Sequence, residues 1–148
     1  MQMNAQDWDV AIRLGVAAFL GGLIGLERES HGKDAGVRTY SLVCLGSCLI
    51  MIVSAQIHTI FQGRAEVDPS RIAAQVVSGI GFLGAGAIIR FPQGIKGLTT
   101  AAGIWTASGI GLACGLGLYH AAVLTTIFTL FILVAFAKLD KFFGGKDF

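Results

Sequence analysis

Residues 97–137 run for 41 positions without a charged side chain. That is about twice the ~20 residues that carry a helix across a bilayer. The run therefore holds two spans, and Gly115, Gly117 and the Tyr119-His120 pair near its middle supply a turn. Shorter neutral runs of 13, 25 and 18 residues occupy 14–26, 39–63 and 72–89. A chain of 148 residues has room for one domain. With 54% hydrophobic and 14% charged residues, it cannot hide such runs in a soluble core. The net charge of +2 is too small and too scattered for a nucleic-acid surface. The chain reads as an all-α membrane protein. It is expected to form a single transmembrane domain over 1–148, a bundle of about five helices with spans at about 10–26, 40–61, 72–90, 98–116 and 119–137.

The first nine residues carry Asp7 and Asp9 and no Lys or Arg, the opposite of a signal peptide, so the first run is expected to stay as a helix. Orientation follows from counting Lys and Arg by side. Arg28, Lys33, Arg38, Arg90, Lys96, Lys138, Lys141 and Lys146 make eight on one side, against Arg13, Arg64 and Arg71 on the other. This predicts the N-terminus outside and the C-terminus in the cytoplasm. Trp8 and Tyr119 fit the outer interface as aromatic anchors, and Tyr40 the inner one.

Twenty-one glycines need an explanation. Gly79-Ile80-Gly81-Phe82-Leu83-Gly84 matches a dinucleotide fingerprint formally, but it lies inside an apolar span with no acid between Asp68 and Asp140. Packing is the better reading, because helices in lipid associate through small residues that let backbones approach. Gly21/Gly25 and Gly111/Gly115 have G-x-x-x-G spacing, and Ala17 extends the first row by a turn. The third span, with Gly79, Gly81, Gly84 and Gly86, is small on most of its circumference, which predicts a place at the centre of the bundle. Cys44, Cys48 and Cys114 all fall within spans and read as small apolar packing residues without a disulfide.

Charges in and beside the membrane are the candidate functional groups. Arg13 follows Asp9 by one turn, as an i,i+4 pair whose arginine reaches back to the outer surface. Around the first loop stand Glu27, Arg28 and Glu29, then Lys33, Asp34, Arg38 and Thr39. Three arrangements compete there: a neutralised loop at the headgroups, an ionic cluster joining Glu27 to Arg38 or Arg90, and a magnesium site from Glu27, Glu29 and Asp34. Before the fourth span, Thr99 or Thr100 is placed to cap the helix start.

These blocks in order resemble the MgtC/SapB family of bacterial inner-membrane proteins. The carrying residues are Gly21-Gly22-Leu23-Ile24-Gly25-Leu26-Glu27-Arg28-Glu29, Gly36-Val37-Arg38-Thr39 and Leu45-Gly46-Ser47. Ser78-Gly79-Ile80-Gly81-Phe82-Leu83-Gly84-Ala85-Gly86 and Gly97-Leu98-Thr99-Thr100-Ala101-Ala102-Gly103-Ile104-Trp105 follow. The resemblance covers about 10–137 and implies five helices with the N-terminus outside. It also implies a link to magnesium homeostasis, growth at low magnesium and virulence, and a partner membrane complex such as the proton-driven ATP synthase. Longer members carry a soluble domain after the last helix, which this chain is expected to lack.

Two functions from different classes remain. One is a non-enzymatic regulator that acts through helix contacts and self-association, needing no cofactor. The other is a transporter or channel for Mg²⁺ or another ion, which would normally need acids or oxygen ligands at depth. No acid lies deep in any span. No nucleophile, base and orienting group fall at readable spacing either, so no enzyme is expected. The orientation has a direct check: a reporter active only outside the membrane is predicted to be active fused at Gly63 and silent at Gly94 or Phe148. Activity at Phe148 would reverse the sidedness.

Overall fold

A computed structural model describes residues 4–61, 68, 70–92 and 94–142, with side chains to Leu139. Gly63, Arg64, Lys146 and Phe148, and the side chain of Lys141, lie outside the described residues. Five helices follow one another: α1 Ala5–Ser30, α2 Val37–Phe61, α3 Ser70–Gly86, α4 Leu98–Gly115 and α5 Tyr119–Phe142. A small antiparallel hairpin, β1 Ile89–Phe91 and β2 Gly94–Lys96, joins α3 to α4. By length and composition α1, α2 and the Tyr119–Leu139 stretch of α5 can each cross a membrane. The outer surface is apolar to match, with Phe19, Leu42, Phe82, Phe128 and Phe131 all more than half exposed.

Local chemistry sets the helix ends. Asn4 and Asp7 form a reciprocal capping box, each side chain accepting from the other's backbone N–H at 2.9 Å. At the far end of α1, Gly32 turns left-handed at φ +65°. Its N–H donates to the Glu29 carbonyl and that of Lys33 to the Arg28 carbonyl, which closes a Schellman turn. The same device ends α4 at Gly117, where Gly117 and Leu118 donate back to Cys114 and Ala113. The α4 start differs from expectation. Its cap is Gly97 at φ +89° with no side-chain bond, so Thr99 and Thr100 are already inside the first turn.

The core lies between α1, α2 and α4. A β-carbon on Gly21 would sit 2.5 Å from the Tyr40 carbonyl, and on Gly25 2.5 Å from Val37 Cα. On Gly115 it would meet Met51 Cβ at 2.6 Å, and on Gly111 it would strike the Cys44 carbonyl. Both G-x-x-x-G pairs are therefore seams of direct backbone contact. Ala17, Cys44, Cys48, Ala107 and Cys114 fill the spaces between them with no exposure. Cys44 Sγ donates to the Ala107 carbonyl at 3.1 Å, and Ser41 Oγ to the Ala18 carbonyl at 3.0 Å, so both cross between helices.

Two expectations need correction. The central helix is α4, nine of whose residues are buried, and not α3, where only Val76, Ile80 and Gly84 are. Gly79, Gly81 and Gly86 face open space, and Gly84 meets Ala101 at an ordinary 3.7 Å. The smallness of α3 lies on its outer side, whereas that of α4 coincides with its contacts to α2. Further, α3 stops at Gly86 rather than continuing to 90. The β-branched pair Ile88-Ile89 and the Phe91-Pro92 step turn the chain into the hairpin instead.

The two glycine classes should separate in mutants. Gly111→Val must displace backbone and should cost at least the ~1–3 kcal/mol of an overpacked core, with most folded protein lost. Gly81→Ala should accumulate normally and melt slightly higher in detergent, since alanine improves a helix by up to ~1 kcal/mol. Equal loss of both proteins on a size-exclusion column would show that α3 is not peripheral.

Candidate functional site

The charged cluster at the α1–α2 turn is built by the helix ends themselves. Arg28, on the last turn of α1, is 4% exposed. Its Nε donates to Glu27 Oε2 at 2.7 Å and its Nη2 to Glu27 Oε1 at 3.3 Å, so the neighbouring acid folds over the guanidinium. Glu27 is itself only 9% exposed at its side chain, and its carboxylate also lies 3.2 Å from His31 Nδ1. A charge this far from water needs its partner. The pair forms within α1, and neither Arg38 nor Arg90 takes part; both are exposed.

Glu29 does something else. Its Oε2 accepts from the Val37 backbone N–H at 3.0 Å, so an acid at the end of α1 caps the start of α2 and faces the positive end of that helix. Gly36 is what lets the carboxylate approach, because a β-carbon there would collide with Glu29 Oε2. Asp34 stands exposed. Glu27, Glu29 and Asp34 are thus not brought together as a magnesium site. Among the described residues no three His, Cys, Asp or Glu side chains converge as metal ligands.

Tyr40 completes the turn. Expected as an interface anchor, it is fully buried, its ring inserted beside Gly103 of α4 and its hydroxyl donating to the Thr100 carbonyl at 3.3 Å. The phenol fits only because Gly103 has no side chain. Tyr40 thereby ties the first turns of α2 and α4, while Glu29 ties α1 to α2. Thr100 is buried through its place in this contact, Thr39 is half-buried, and Thr99 and Trp105 face outward.

The opposite end of the core has a matching closure. Arg13 lies 2.7 Å from Asp9, a charge contact angled away from a hydrogen bond, and its Nη1 donates to the Gly115 carbonyl at 2.6 Å. That carbonyl belongs to the last turn of α4 and is left over by the Schellman turn. The guanidinium satisfies it and lies against Gly117. The i,i+4 pairing was legible in the sequence. The bond to α4 was not, because it joins residues 102 positions apart. The Glu29–Gly36 contact did carry a signal, an acid followed by the His31-Gly32 helix stop and a glycine before the next helix.

The geometry replaces the expected Glu27–Arg38 pair with a testable alternative. Removing either charge of a buried pair typically costs about 3–5 kcal/mol, so Glu27→Gln and Arg28→Gln should each lower the melting temperature and the amount of folded protein. The double variant should lose less than the two single losses added, whereas Glu27→Arg/Arg38→Glu should rescue nothing. Recovery by that swap would restore the Arg38 pairing.

Comparisons with known proteins place the chain in a family. Residues 14–142 match the profile of the MgtC family. YhiD of Escherichia coli K12, provisionally named a magnesium transporter, is 47% identical over 139 residues, which cover 93% of this chain and 65% of YhiD. SapB of Bacillus subtilis is 44% identical over 99 residues, covering 65% of this chain and 43% of SapB. MgtC of Brucella abortus is 44% identical over 89 residues, covering 60% and 35%. The chain thus spans less than two thirds of each of these three relatives. No solved structure matches. The chain belongs to the MgtC family of membrane proteins.

Proposed function

We propose that this transmembrane unit is a non-enzymatic regulator linked to magnesium, acting through helix contacts with another membrane complex rather than by conducting an ion. The observation that carries this reading is the closed core. Glycine seams bring α1, α2 and α4 into backbone contact, buried apolar residues fill the rest, and Arg13 and Arg28 stand at its two ends. A cation path needs ligating oxygens and room for a hydrated ion, and the space between these three helices is taken by side chains and backbone.

Family membership supports the magnesium link and an inner-membrane location, with the N-terminus outside on the charge count. The partner nominated by the resemblance is the proton-driven ATP synthase, and the apolar outer faces of α3 and α5 are available for it or for a second copy. A second reading, ion transport, is favoured by the name of YhiD. It would need a path outside the α1, α2 and α4 core, which is filled.

One reconstitution separates the two. Purified protein in liposomes loaded with a magnesium-sensitive dye should give no more influx than empty liposomes. The same gene should restore growth at low magnesium to a strain lacking its own family member. Dye response above the empty control would replace the regulator with a transporter.

A further inference from the structure

Between α2 and α3 the packing opens into a lateral groove of about 550 Å³. Its α2 wall is the stripe Leu42, Gly46 and Ile50, each one turn from the next, and its α3 wall includes Ile72, Val76, Gly79 and Leu83. The width comes from two glycines: a β-carbon on Gly46 or on Gly79 would meet nothing within 4 Å. The polar exceptions in the lining are Ser47 and Gln75. Along α3 the lined stretch from Ile72 to Leu83 spans about 16 Å, at ~1.5 Å per residue. That is about half of the ~30 Å hydrocarbon core, the depth of one leaflet.

The stripe continues past the groove. Counting back one turn from Leu42 reaches Arg38, on the same face of α2 and exposed at the membrane end of the groove. Arg38 has no ion pair among the described residues, since Glu27 is held by Arg28 and Glu29 by Val37. At the corresponding end of α3 the hairpin adds Arg90 and Lys96. An apolar slot one leaflet deep, headed by cations of which Arg38 has no ion pair among the described residues, matches one class of molecule in both parts.

We propose that the α2–α3 groove is a phospholipid site that takes one acyl chain of an anionic lipid, with Arg38 on its phosphate. The lipid belongs to the leaflet on the side of the α1–α2 turn. Gly46 and Gly79 provide the space for the chain, and Arg38 sets the preference for an anionic headgroup. This assigns a use to Gly79, an open glycine of α3 that packing does not explain, and it does not depend on whether the protein regulates or transports.

The test uses the full chain in mild detergent with native mass spectrometry, titrating phosphatidylglycerol against phosphatidylcholine. The wild type should retain one phosphatidylglycerol with at least fivefold preference over phosphatidylcholine. Gly79→Leu, which fills the groove, should lose that lipid at least fivefold, while Gly109→Leu, open but on α4 outside the groove, should keep it. Arg38→Gln should keep a lipid and lose the headgroup preference. Should Gly79→Leu fold poorly, a phosphatidylglycerol with a photoreactive acyl chain should label wild-type Ile50 or Val76. Retention by Gly79→Leu equal to wild type, or labelling elsewhere, would overturn the site. Conversion of a wild-type dimer to a monomer by Gly79→Leu would assign the groove to a second copy and overturn it too.

Discussion

The structure depends on backbone lying against backbone along α1, α2 and α4. In lipid, burying apolar surface between helices gains little, because the tails outside are as apolar as the side chains within. Association must come from close van der Waals contact and hydrogen bonds made at short range. Gly21, Gly25, Gly111 and Gly115 supply the approach, and the bonds from Cys44, Ser41 and Tyr40 to carbonyls on other helices become possible only at that distance. The arginines follow from the same contact. Arg13 reaches the end of α4 because α1 touches it, and Arg28 sits where the packed seam ends.

Much of this was legible in the sequence. Neutral runs located the helices, and the spacing of Gly21/Gly25 and Gly111/Gly115 identified two seams that the structure contains. The same reasoning failed on α3 because glycine content reports that a helix can be approached closely, not that it is. Gly111 and Gly81 each end a Ser-Gly-Ile-Gly tetrapeptide, at 108–111 and 78–81, yet the first lies against the Cys44 carbonyl and the second faces open space. Only the contacts of the neighbouring helix distinguish them.

The charged turn shows a different limit. Composition placed Glu27, Arg28, Glu29 and Arg38 at one membrane surface but could not pair them. Arg28 is drawn inward by its position on the α1 face that carries Gly21 and Ile24, so it takes the nearest acid. Glu29 points across the turn and finds a backbone N–H rather than a cation. Tyr40 was misplaced for a related reason: a tyrosine near a membrane surface reads as an anchor unless the glycine opposite, 63 positions later at Gly103, is known to make room for it.

The self-contained α1–α2 turn bears on how such a chain is assembled during synthesis. Its contacts are local in sequence: the Schellman turn at Gly32, the Glu29 cap on Val37 and the Gly21 and Gly25 seams all lie within residues 21–44. The first two helices can therefore pair as a hairpin before α4 has been made. Helix α4 must then be received into a surface already shaped by Tyr40, Cys44 and Met51, with α3 and the β-hairpin acting as the tether that delivers it. Late arrival of the central helix makes the interval between α2 and α4 the vulnerable step of biogenesis, when the Tyr40 hydroxyl and the Cys44 thiol of α2 stand without the α4 carbonyls they donate to.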